Sequence, residues 1–279
     1  EAITATQSSL THLLNRVDAG HVSVDPNRTS LTGTGGRISA GKVGGGHWQY
    51  NGGVIWRSPE LELNDVGFLR QADEIRQYFN FSYRTLKPTE TFRRISARFQ
   101  QFTTYDFDGN FNRIQYSLGG NLIFKNNNSI NINAVHKPRI YVNTALRGGP
   151  RWRYSQEDHI SAFFGTDESK KFVTSFGLAY SGAKQNNFSM LFTEVDFTYQ
   201  PTNALTISFN PNYSNRPSKT QYVTQTDYNG TTRYVLGTID NKTLSASFRL
   251  NYTINPNLTI QYYGQPFISR ARFSSFKYV

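Results

Sequence analysis

From Leu244 to Ile254 the chain reads Leu-Ser-Ala-Ser-Phe-Arg-Leu-Asn-Tyr-Thr-Ile. Leu244, Ala246, Phe248, Leu250, Tyr252 and Ile254 share one phase, and Ser245, Ser247, Arg249, Asn251 and Thr253 share the other. Successive side chains of an extended chain point to opposite faces, so the stretch predicts a strand with one apolar and one polar face. The pattern resumes after Asn255-Pro256-Asn257, with Leu258, Ile260 and Tyr262 opposing Thr259, Gln261, Tyr263 and Gln265. Two alternating runs joined by a short Asn/Pro turn predict a hairpin.

The same device recurs upstream. Val195, Phe197 and Tyr199 alternate with Glu194, Asp196, Thr198 and Gln200, then Pro201-Thr202-Asn203 turns the chain into Leu205, Ile207 and Phe209. Ile114, Tyr116, Leu118, Leu122 and Phe124 precede a turn at Lys125–Ser129, followed by Ile130, Ile132 and Ala134. Tyr78–Arg84 with Ile95–Phe102, and Ile160–Phe164 with Phe172–Tyr180, add further pairs. The count comes to roughly twelve strands, clearest after Glu74. Residues 1–36 are Thr-, Ser- and Asn-rich with weak periodicity and are expected to form an irregular connector or plug, with 37–279 the barrel region. The Gly-dense stretch Thr32–Gly53 is open to three readings: plug, glycine-softened strand pair or connector.

Composition narrows the classes. The chain has 279 residues, 41 of them Phe, Tyr or Trp, which argues against wholesale disorder. With no Cys, disulfides, Cys-bound zinc, iron–sulfur clusters and thiol catalysis are excluded. The formal charge is +11, but the positive residues are spread along the chain without a run of five, so nucleic acid is not an expected partner. No apolar run approaches the ~18 residues of a membrane helix, which leaves a closed β-barrel as the route across a bilayer. The start, Glu1-Ala-Ile-Thr, lacks an initiator Met and an apolar leader and reads as mature or internal sequence.

Three features favour an antiparallel outer-membrane barrel over a soluble β-sandwich. The clear runs of about 10–14 residues exceed the soluble mode of ~5–6, and about ten tilted residues span an apolar band of ~25 Å. Short connections (Lys87–Glu90, Lys125–Ser129, Asp167–Lys171, Pro201–Ala204, Asn255–Asn257) alternate with long ones (Val142–Asp158, Asn215–Asn241). Charge falls in the polar phase, on Arg94, Arg98, Glu194, Asp196 and Arg249, where a wet lumen tolerates it. Pairing of Glu194 and Asp196 with those arginines is expected. Tyr199, Tyr213 and Tyr252 lie near strand ends, where interfacial aromatics belong.

Several segments resemble one family. They are Ser58-Pro-Glu-Leu-Glu-Leu-Asn-Asp-Val-Gly-Phe-Leu69, Ala145-Leu-Arg-Gly-Gly-Pro150, and the run from Ile239 through Arg249-Leu-Asn-Tyr and Asn255–Pro266 to Phe273-Ser-Ser-Phe-Lys277. The family is "domain of unknown function five-nine-one-six" (DUF5916), associated with large outer-membrane proteins of Bacteroidota. The resemblance implies a β-rich envelope region that usually follows a module similar to carbohydrate-binding family nine. Residues 1–279 are not expected to include such a module, and the resemblance implies a pattern that continues past Val279. Twelve unclosed strands would leave bare edges in lipid, so the chain is expected to be part of a larger barrel.

Candidate sites are sparse. His12, His21, His47, His136 and His159 have no metal-motif spacing and read as structural or surface residues. Asp106-Phe-Asp108-Gly109-Asn110 opens like a calcium loop, but Phe111 and Ser117 stand where Gly and Glu are needed, so an Asp-Gly turn is expected. Glu60, Glu62 and Asp65 are the densest carboxylates; a glycosidase pair is one reading and a loop or plug contact the favoured one. Trp48, Trp56 and Trp152 could stack on sugar rings or serve as anchors. Arg147, Arg151 and Arg153 could hold acidic glycan or lipopolysaccharide phosphate. No cofactor, metal or catalytic residue is expected.

The sequence therefore predicts an outer-membrane β-barrel in surface glycan binding or uptake, or in an envelope complex, with outer-membrane lipid and lipopolysaccharide as partners. Glycans and other outer-membrane proteins are the further partners considered. A secreted β-sandwich of a carbohydrate-active enzyme or binding module, and a scaffold subunit of a larger barrel complex, are the alternatives.

Overall fold

The computed structural model describes residues 2–64 and 67–279. A six-residue helix α1 (Ala2–Gln7) leads into irregular chain up to residue 34. Strands β1 (Gly35–Lys42), β2 (Trp48–Arg57), β3 (Glu74–Arg84), β4 (Phe92–Tyr105) and β5 (Phe111–Phe124) follow. Next come β6 (Ser129–Val142), β7 (Trp152–Tyr154), β8 (Glu157–Gly165), β9 (Phe172–Ala183) and β10 (Ser189–Thr202). The series ends with β11 (Leu205–Asn215), β12 (Ser218–Tyr228), β13 (Thr231–Asn255), β14 (Leu258–Gly264) and β15 (Phe267–Tyr278).

All fifteen strands lie in one sheet. Short β7 and β8 lie end to end along β6, β11 and β12 along one side of β13, and β14 and β15 along its other side. The fifteen segments thus occupy twelve strand lines in a simple antiparallel meander. The sheet is not closed: among the described residues β1 and the β14–β15 line are free edges.

The Gly-dense stretch is the glycine-softened strand pair. A Cβ at Gly53 would come within 2.2 Å of the Ile38 carbonyl, and one at Gly36 within 2.5 Å of the Trp56 ring. These glycines let the β1 and β2 backbones approach and leave Trp56 room to lie flat. Connections at one end of the sheet run from two residues (203–204, 256–257) to seven (85–91). The opposite end carries the long connections 58–73 and 143–156.

The long connection expected at Asn215–Asn241 is instead ordered hairpin. Ser218–Tyr228 and Thr231–Ile239 pair across Asn229-Gly230, whose φ values are +52° and +75°. Two left-handed residues match the twist of a two-residue hairpin, and Asn-Gly is the sequence that supplies them most cheaply. The predicted turn at Pro201–Ala204 is tighter than expected, because β10 runs on to Thr202.

Alternation governs exposure. Leu118, Ile160 and Ile268 are 60%, 56% and 74% exposed, all in the apolar phase. Within the strands only Tyr78, Ile140, Ala179, Tyr234 and Leu236 are buried apolar residues. The other buried apolar residues, including Leu13, Leu14, Leu61, Leu69, Ala72 and Leu146, sit in the N-terminal segment and the long connections.

Gly230→Val should strain the left-handed turn by about 1–2 kcal/mol. Hydrogen exchange should then quicken about 5- to 30-fold in the β12–β13 tip, with amides of β4 and β5 unchanged.

Candidate functional site

The ladder places the polar phase on one face. Ser82, Arg98, Gly119, Asn133 and Ser161 are successive cross-strand partners from β3 to β8. Arg84, Ser96, Asn121, Asn131 and Phe163 form the adjacent row. Together with Gln49 and Arg94 these residues line a cavity of about 350 Å³. A second cavity of about 260 Å³ shares Gln49, Ser82, Arg98 and Gln100 with it and reaches Lys42 and Asn80. Asn121 donates to Asn131 Oδ1 at 2.5 Å within that second row.

Glu194, Asp196 and Arg249 occupy the same face but lie elsewhere. Five ladder steps separate β4 from β10, roughly 24 Å at ~4.8 Å per step. Among the described residues no ion pair joins Glu194 or Asp196 to Arg94, Arg98 or Arg249, which corrects the pairing expected from sequence. Asp196 instead accepts hydrogen bonds from Ser175 Oγ and Asn210 Nδ2, both at 2.6 Å. The Arg249 guanidinium lies 5.3 Å from the ring centre of Tyr263. Phase alone puts these charges on one face; only the register shows that Arg94 and Arg98 lie five ladder steps from Glu194 and Asp196.

The tryptophans divide by position. Trp48 and Trp56 share the apolar phase at the two ends of β2, about 26 Å apart at ~3.3 Å per residue. Trp48 stacks on Phe81 with ring centres 5.2 Å apart and leans on Tyr83. Trp152, in β7, and Tyr222 both pack against the cluster of Leu146, Tyr234 and Leu236. Arg147 lies over the Tyr222 ring at 4.9 Å and Arg151 over Tyr141 at 4.6 Å. Arg153 is exposed. Arg147, Arg151, Trp152 and Arg153 are therefore grouped at the long-connection end, while Trp48 stands at the other.

The N-terminal segment caps that long-connection end. The Arg151 amide donates to Asp18 Oδ2 at 2.8 Å, Val17 N to the Gly148 carbonyl, and Ala72 N to the Thr11 carbonyl. Buried His12 contacts the Leu61 carbonyl at 3.0 Å through Nε2. Glu60 pairs with Arg28, and Glu62 accepts the Asn64 amide and approaches His12 at 3.7 Å. Both carboxylates serve loop contacts, as expected; Asp65 lies outside the described residues.

One cluster escaped sequence reading. Ligand atoms of His21, Asp73 and Asp106 lie within 4.8 Å of one another. Their sequence separation removes any spacing signal. His21 Nε2 contacts both Asp73 oxygens at 3.0–3.1 Å, and Asp73 Oδ1 also accepts the Phe107 amide. The fully buried Asp106 accepts the Asp108 and Asn110 amides and Asn110 Nδ2. Gly109 adopts φ +80° beside it. The Asp106–Asn110 segment is thus the expected turn, and its carboxylate is spent on holding that turn.

The sequence model described as "Domain of unknown function (DUF5916)" matches residues 4–279. No curated protein and no solved structure matches the chain.

Asp73→Ala would leave His21 and the Phe107 amide without their acceptor, at about 1–3 kcal/mol. Limited proteolysis between residues 8 and 34 should accelerate while the sheet's circular dichroism stays constant.

Proposed function

The chain belongs to the DUF5916 family, and from that premise we propose that it forms wall strands of an outer-membrane β-barrel that binds or passes surface glycans or serves an envelope complex. One observation carries this reading. A single sheet presents an alternating apolar face that no helix or second sheet covers among the described residues. A soluble sandwich buries that face between two layers. Here Phe81, Leu118, Ile160, Tyr180 and Leu191 lie in one exposed row, which suits hydrocarbon as its solvent. Trp48 and Trp56 at the two ends of β2 fit the aromatic girdles that flank an apolar band of ~25 Å.

The polar face then borders a wet lumen, and the capped end with Arg153 faces the surface and lipopolysaccharide. Catalysis is not expected of this region, because Glu60 and Glu62 are committed to loop contacts. The free edges at β1 and β14–β15 must be met by further strands in a bilayer, where unpaired backbone is costly. The same edges favour, as a second reading, a scaffold that pairs laterally with another barrel.

Folded protein in detergent should migrate faster than boiled protein on a gel and precipitate when detergent is removed; a freely soluble monomer would refute the reading. Leu118→Arg, near the middle of the apolar face, should lower unfolding free energy in vesicles by about 2–4 kcal/mol. Ser117→Arg, on the polar face beside it, should change it by about 0.5 kcal/mol or less.

A further inference from the structure

The polar face holds its positive charge in two different ways. Arg57 and Arg76 are neutralised by Glu74 at 3.0 and 3.1 Å. Arg84, Arg94 and Arg98 line one cavity whose lining contains no carboxylate. Among the described residues none of these three takes part in an ion pair. The Arg84 Nε is buried without a hydrogen-bond partner. Like charges held on adjacent rows repel, and a guanidinium at a partly dehydrated wall favours a carboxylate, sulfate or phosphate over water. The cavity is thus charged for an anion that the chain itself does not supply.

Its other lining groups narrow the ligand. Gln49, Asn121, Asn131 and Asn133 bring amides, which both donate and accept and so match hydroxyl groups. Phe163 is the aromatic side chain that the polar phase contributes there. Recognition therefore rests on charge and hydrogen bonds more than on ring stacking. The adjoining cavity through Gln49, Ser82, Arg98 and Gln100 extends the groove toward Lys42. A lone small anion would leave most of that polar length unused.

We propose that this groove binds an acidic oligosaccharide, with its anionic group on Arg94 and Arg98 and its hydroxyls on the neighbouring amides. The inference rests on the glycan-binding reading above and names the class of glycan. It also shifts the site from the loop residues Arg147–Arg153 to the wall of the sheet.

Calorimetry on the full chain in detergent, with trigalacturonate, maltotriose and inorganic phosphate as probes, tests it. Trigalacturonate should bind, and its affinity should fall steadily with added salt. Maltotriose should bind at least about a hundredfold more weakly. The double variant Arg94→Gln, Arg98→Gln should weaken trigalacturonate about tenfold or more, and Arg94→Lys, Arg98→Lys should weaken it less. Arg153→Gln should leave it unchanged. Equal binding of maltotriose, indifference to the double variant, or phosphate competing as strongly as the trisaccharide would each overturn the proposal. The heat-dependent gel shift is recorded on every sample. A protein that keeps the shift but binds no acid sinks this inference alone; loss of the shift in the parent chain sinks the barrel reading.

Discussion

Everything in this molecule depends on one backbone ladder that holds side-chain alternation in phase across the sheet. Tyr50, Phe81, Phe99, Leu118, Ala134, Ile160, Tyr180 and Leu191 are successive cross-strand partners over eight strands. A one-residue slip at any junction would send the following strand's apolar side chains into the polar face. Aromatic partners such as Trp48–Phe81 and Phe92–Phe124 pin the register further. The ladder shifts at the short-turn end between Phe92 and Arg94 and between Tyr199 and Thr202, and between Ile114 and Tyr116 near the capped end. There, loops rather than alternation decide which side chains are buried.

The usual order of a soluble domain is inverted. Strands that would form the core expose their apolar residues, and the enclosed apolar contacts gather where irregular chain meets connections. Leu61, Leu69 and Ala72 form one such cluster, and Leu146, Tyr234 and Leu236 another. Beside the first, the Asp73 carboxylate ties the His21 segment to the β4–β5 turn. The cap is a small globular assembly built on one end of the sheet.

Legibility followed the range of the interactions. Leu244–Ile254, Glu194–Gln200, Ile114–Phe124 and Ile95–Phe102 announce their strands by local alternation, and the phases place Arg94, Arg98, Glu194 and Asp196 on the polar side. The hairpin at Asn229-Gly230 was equally legible, since that dipeptide is a strong turn signal, but the polar run Ser218–Tyr228 hid it among expected loop residues. The cap was illegible because its bonds span great sequence distances: 52 residues between His21 and Asp73, and 133 between Asp18 and Arg151. The arginine-lined cavity lies between these cases. Parity assigns each side chain to a face, but only the register across β2 to β8 brings Gln49, Arg98 and Asn133 together.

The meander has a consequence for assembly. Each strand line needs only its immediate successor, so the sheet can zip forward one ribbon at a time with short loop closures. Thr11, His12 and His21 meet residues 61–73 early, but Val17 and Asp18 cannot find their seat on that schedule. Asp18 waits for the amide of Arg151, and Val17 for the carbonyl of Gly148, so about half the strand lines must exist before the leading segment locks. Part of what comes first in the polypeptide thus settles late in space, as a latch that closes once β1 to β6 stand.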